Sequence, residues 1–116
     1  MLNPTEFDGR NAVDGYGPGF FRVAGKVRQG AVVVLPDEVL DWGGPADIAT
    51  LTALAGRVDV LFLGLGAQVA HPPRALADAL EEAGIRFEAM ASDTAARTYN
   101  VTLSEGRRVA CALLPL

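Results

Sequence analysis

The chain predicts an α/β fold: a single domain of three layers around a central mixed, partly parallel β-sheet, with an N-terminal β-hairpin and about three helices. Three observations carry this reading. Val58–Leu65 reads VDVLFLGL, a continuous β-rich run of the kind that is buried on both faces of a parallel sheet. A helical pattern and a second β-rich run, Ile85–Met90, follow it closely. Strand, helix and strand in so short a span require a parallel, right-handed crossover. The final run, Arg108–Leu114, sets Val109, Cys111 and Leu113 against Ala110, Ala112 and Leu114, apolar on both sides, as an interior strand must be.

The elements follow in order. Residues 1–19 mix polar residues with Pro4, Gly9, Gly15, Gly17, Pro18 and Gly19, a composition that predicts an irregular N-terminal arm. Phe20–Val23 and Val27–Leu35 read as the strands of the hairpin around an Ala24-Gly25 turn, with Gly30 a candidate bulge where alternation gives way to the run AVVVL. After the loop PDEVLDWGG, Pro45 occupies a first-helical-residue position, and Ile48, Leu51, Thr52 and Ala55 keep helical spacing up to Gly56. The second helix turns Leu76, Ala77 and Leu80 inward and stops at Gly84, which supplies a left-handed C-cap over which Ile85 folds back. Ser92 or Asp93 caps the third helix. At 100° per residue Ala95, Ala96, Tyr99 and Leu103 share its sheet-facing side, and Thr94, Arg97, Thr98, Val101 and Glu105 the opposite one. Trp42, beside Gly43 and Gly44, is either core or an exposed contact residue.

Composition narrows the function classes. A chain of 116 residues, half of them hydrophobic, builds one core without disulfides or metal. Apolar runs such as Ala31–Leu35 fall far short of the roughly 20 residues a membrane helix needs, so a soluble protein without membrane insertion is expected. No secretory signal is visible and the single Cys111 has no disulfide partner, which fits a reducing cytoplasm. A net charge of −4 opposes non-specific nucleic-acid binding, and Arg107-Arg108 is the only adjacent basic pair.

The candidate chemistry is sparse. Gly64-Leu65-Gly66 closes a strand, but a dinucleotide fingerprint would need a glycine where Val69 stands, and no nucleotide P-loop sequence is present. Cys111 lies in an apolar strand and reads as a small core residue, while His71, before two prolines, reads as exposed and incidental. One histidine and one cysteine supply neither a zinc site nor a nucleophile–base pair. No catalytic, cofactor-binding or metal residue is assigned. Polar groups concentrate instead at Gly64, Gly66, Asp93, Thr94, Arg97, Thr98, Asn100 and Glu105, which the open-sheet rule puts beside the crevice at the strand ends. In the bland reading these residues cap and brace the helix. In the sharper one the Arg97 guanidinium anchors an anion or a protein partner, with Thr98 and Asn100 adding directional hydrogen bonds.

Tyr16-Gly17-Pro18-Gly19-Phe20, Leu35-Pro36, Trp42, Leu61-Phe62-Leu63-Gly64-Leu65-Gly66, Ala96-Arg97-Thr98-Tyr99-Asn100 and Glu105-Gly106-Arg107-Arg108-Val109-Ala110 together carry a family resemblance. The chain is similar over nearly its whole length to the small domain-of-unknown-function family that includes mitochondrial complex I assembly factor three and the adipogenesis-associated domain protein. That resemblance implies a three-layer α/β fold and protein partners. The chain departs from the family pattern at Gly64-Leu65-Gly66 and at Met90-Ala91-Ser92-Asp93-Thr94, both beside the suspected pocket. The functional expectation is a non-catalytic interaction or assembly-factor-like module, linked by resemblance to respiratory-complex biogenesis. The alternative is a protein or enzyme that binds a small carboxylate or phosphate near Gly66 and Arg97.

Overall fold

A computed structural model describes residues 9–68 and 71–116. Its strands are β1 (Val13–Gly17), β2 (Phe20–Val23), β3 (Lys26–Gln29), β4 (Val32–Val34), β5 (Val39–Asp41), β6 (Val60–Gly64), β7 (Phe87–Met90) and β8 (Val109–Leu113). The helices are α1 (Ile48–Thr52), α2 (Arg74–Glu82) and α3 (Ser92–Ser104). Two sheets form, an antiparallel β1-β2-β3 and a five-stranded β5-β4-β8-β6-β7. In the larger one β6 runs parallel to both β7 and β8, whereas β4 runs antiparallel to β5 and β8, so the sheet is mixed.

The two-residue period of its strands divides the core into two slabs. On one face Val33, Leu35, Leu61, Leu63, Ala110 and Ala112 meet Leu51 and Leu54 of the α1 region and Leu76 and Leu80 of α2. On the other, Val32, Val34, Val60, Phe62, Val109 and Cys111 meet Ala95, Ala96, Tyr99 and Leu103 of α3 and Phe21 and Val23 of the small sheet. The apolar stripe read for the third helix is therefore its buried stripe. The α2 terminus also follows its sequence: Gly84 has φ +76°, its N–H donates to Glu81 O at 3.0 Å, and the Ile85 N–H donates to Leu80 O at 2.9 Å, the paired bonds of a Schellman cap.

Several boundaries differ from expectation. Val27–Leu35 is two strands in different sheets: Gly30, at φ +78°, donates its N–H to Gly19 O and redirects the chain from β3 into β4. A single left-handed residue is what allows this switch, and the same glycine signal in sequence reads equally as a bulge. Val13–Gly17, inside the expected irregular arm, pairs with β2, and residues 1–8 of that arm lie outside the described residues. Here cross-strand pairing overrides the poor β-propensity of glycine. The short β5 forms within the loop PDEVLDWGG. Helix α1 starts at Ile48 rather than at Pro45, because the Asp47 carboxylate accepts from the Thr50 N–H and Oγ1 and makes the cap itself. Ala91, not Ser92 or Asp93, holds the N-cap position of α3. Trp42 is core, 4% exposed, with Nε1 donating to Asp47 O.

Candidate functional site

Helix α3 organises the polar residues of the molecule. At its start, Ser92 is fully buried and its hydroxyl joins three segments: Oγ accepts from the Gly66 N–H at 2.9 Å and donates to Leu114 O at 2.7 Å. The Ser92 N–H in turn donates to Gly66 O at 2.8 Å. A Cβ on Gly64 would lie 2.7 Å from Ser92 Cα and 2.8 Å from Leu113 Cδ2, so only glycine allows β6 to pass this close beneath the helix. Gly64 and Gly66 thus serve close packing and a turn. Val69, where a third fingerprint glycine would stand, lies outside the described residues.

The second half of α3 ties down the chain that enters β1. The Asn100 amide clamps the backbone of Val13, accepting its N–H at 2.9 Å and donating to its carbonyl at 2.7 Å. The Tyr99 hydroxyl donates to Asn11 O at 2.6 Å, and Arg10 Nη1 donates to Leu103 O at 2.9 Å. Burial pushes the Tyr99 phenol well above its ordinary range, so it stays a neutral donor. Tyr99 and Asn100 of the family block, together with Ser92, therefore bond backbone in other parts of the fold.

The remaining predicted residues face outward. Asp93 accepts from the Thr94 N–H and lies 3.8 Å from Arg97 Nη1, an i,i+4 pair. The Arg97 side chain is 64% exposed, so this pair adds little stability. The Thr98 hydroxyl donates to Thr94 O, and Glu105 is the exposed C-cap. Arg97 and Asn100 line one wall of a groove of about 320 Å³ whose other wall is Asp14, Gly15 and Tyr16 of β1. Tyr16 is 43% exposed. The expected cluster thus separates: Arg97 and Asn100 meet β1, while Gly64 and Gly66 pack under the helix start.

A second cleft, which the sequence hinted at only through the Arg107-Arg108 pair, opens where α3 ends. It has about 500 Å³ and is lined by Arg10, Arg57, Arg107 and Arg108. At its edge Arg108 Nη2 bonds Asp59 Oδ1 at 2.9 Å, and that hydrogen bond, followed by one from the Arg108 N–H, holds the Asp59 carboxyl below its ordinary range. Arg57 pairs with Glu38.

Neither group considered for nucleophilic chemistry is arranged for it. Cys111 is fully enclosed in β8 and burial pushes its thiol up, away from the thiolate that attack requires. His71 is exposed in the loop before α2. Among the described residues no group of three or more His, Cys, Asp and Glu side chains is placed to hold a metal, and no helix is long and apolar enough to cross a membrane.

Fold and site together define a small three-layer α/β domain whose distinctive polar residues brace its own backbone. The chain belongs to the family described as "Protein of unknown function (DUF498/DUF598)", whose pattern matches residues 13–114. It is 51% identical over 110 residues to an uncharacterized protein of Rhodobacter capsulatus, covering 95% of this chain and 89% of that one. It is 32% identical to NADH dehydrogenase [ubiquinone] 1 alpha subcomplex assembly factor 3 of Danio rerio, over 86% of this chain but 62% of the fish protein. Among solved structures, one described as an outer membrane protein of Bartonella henselae superposes with a TM-score of 0.82 at 33% identity, covering 94% of this chain and 98% of that one. The similarity to the assembly factors bears out the family resemblance read from the sequence.

Proposed function

We propose that this protein is a non-catalytic interaction module with an assembly-factor-like role, engaging a protein partner through the groove between β1 and α3. The observation that carries the reading is the pairing of an exposed Tyr16 and an exposed Arg97 on opposite walls of that groove. Tyrosine and arginine are the side chains that most often anchor protein interfaces, combining a rigid apolar surface with a fork of donors. The groove is also preorganised, since Asn100 fixes the backbone of Val13 and so the position of β1. The similarity to assembly factors of NADH dehydrogenase supports a subunit of that enzyme as the partner. A reducing cytoplasmic setting goes with this reading, because the one cysteine is a buried thiol.

The alternative, a carboxylate or phosphate pocket near Gly66 and Arg97, has weaker support. The Gly66 N–H that would meet an anion already donates to Ser92, and Arg97 points into the β1 groove instead. The test is affinity capture from native lysate with wild type and a folded Tyr16→Ala, Arg97→Ala variant, read by mass spectrometry. Wild type is expected to retain an NADH dehydrogenase subunit that the variant loses. A wild-type capture without any such subunit sinks the role, and an identical partner set in the variant sinks the surface.

A further inference from the structure

We propose that the arginine-lined cleft at the C-terminal end of α3 is a binding site for a small organic anion, a carboxylate or phosphate head on a short carbon skeleton. The charge distribution is the first reason. The chain carries 14 acidic and 10 basic residues, yet among the described residues this cleft is lined by four arginines and by a single carboxylate, Asp37. An acidic protein has thus gathered four of its ten cations around one concavity. Self-repulsion opposes such a gathering unless something offsets it.

The internal offset is least complete at Arg107. Glu38 engages Arg57 and Asp59 engages Arg108, each at the edge of the cleft, and Arg10 Nη1 serves the last turn of α3 through Leu103 O. Among the described residues Arg107 has no hydrogen bond or ion pair, although it lines the cleft beside Gly106 and Arg108. Its guanidinium fork is free to take an anion in two parallel hydrogen bonds, and the three neighbouring guanidiniums raise the local potential that draws the anion in. The floor supplies the second half of the specificity. Pro36 and Val58 are half-buried in the lining, over the buried Leu35 and Val109, so a carbon skeleton has an apolar surface to cover. A volume of about 500 Å³ lies within the range of small-molecule sites, between roughly 300 and 1,000 Å³. This site shares no lining residue with the Tyr16–Arg97 groove and stands independently of the partner proposed there.

The experiment is a titration of the ¹⁵N-labelled full chain with hexanoate and with hexyl phosphate, against sodium chloride at matched ionic strength. Saturable shifts in the amides of 35, 37 and 106–109 with at least one of the two probes are expected, and the tighter probe identifies the head group. Inorganic phosphate should bind more weakly than hexyl phosphate, because it leaves the apolar floor uncovered. Arg107→Ala should raise the dissociation constant by roughly tenfold or more, since even one of the two charge-assisted hydrogen bonds it removes is worth about that much. Arg57→Ala should raise it in the same direction, and Arg97→Ala should leave it unchanged. Shifts that rise linearly or match those of sodium chloride, or an Arg107→Ala affinity equal to wild type, would overturn the site.

Discussion

The two ends of α3 resolve opposite problems. At the N-terminal end β6, β8 and the helix approach so closely that Gly64 has no room for a Cβ, and Ser92 spends its hydroxyl on Gly66 and Leu114. At the C-terminal end the chain leaves a cleft of about 500 Å³, and the Arg107 guanidinium makes no hydrogen bond among the described residues. Glycines and small polar residues near a helix start resemble a ligand site in sequence, but here they are consumed by packing. The end that sequence marks only by an arginine pair is the one that opens into a cleft. Satisfied polar groups stabilise a fold; unsatisfied ones at the surface are available for recognition.

The largest expected effect breaks the closed end. Gly64→Val should destabilise by about 3 kcal/mol or more, since backbone and an interior leucine would have to move, and urea unfolding would show it as a lower midpoint. A cost under about 1 kcal/mol would mean that the two segments separate easily. Asn100→Ala comes next, at about 2 kcal/mol, because it strips partners from both the N–H and the carbonyl of Val13. Faster amide exchange confined to β1 and its neighbour β2 would identify that clamp as the cause. Ser92→Ala should cost about 1 to 2 kcal/mol, leaving the Gly66 N–H without its acceptor.

The open end is expected to register in pH rather than in bulk stability. Asp59, through Arg108, has a folded-state carboxyl below its ordinary 3.8, as has Asp47 at the cap of α1, away from this cleft, through the Gly43 N–H and then Thr50. A depressed carboxyl contributes stability above its unfolded value that is lost as pH falls through the folded one, so the loss sets in below about pH 4. In Asp59→Asn the acid limb of an unfolding-midpoint profile should be shallower, and a limb superimposed on wild type would uncouple this pair from folding. Smallest of all, Arg107→Ala should change stability by less than about 0.5 kcal/mol, as an arginine reserved for a ligand must. A larger loss in thermal melts would instead give Arg107 a structural role.

The apolar pattern made the sheet readable. Val60–Gly64 and Val109–Leu113 are interior strands because both of their faces are hydrophobic, and the stripe Ala95, Ala96, Tyr99 and Leu103 specifies which side of α3 is buried. Where local and long-range signals compete, the sequence is ambiguous. Gly30 reads as a bulge inside one strand because β4 finds its partner in the distant β8, whereas Val13–Gly17 reads as irregular because its glycines hide a strand that pairs with the adjacent β2. Ser92 and Asp93 were equally good caps on paper, yet the serine side chain was drawn into the sheet and Ala91 took the cap.

Hydrophobic periodicity is local, so the sequence alone determined the class of fold, the strand–helix–strand unit and the buried face of α3. Polar side chains are short-ranged and directional, and their partners lie up to 93 residues away, as in Arg10 to Leu103. Only the tertiary structure could therefore decide that Asn100 clamps β1, that Gly64 is filled rather than open, and that Arg10, Arg57, Arg107 and Arg108 meet around one cleft.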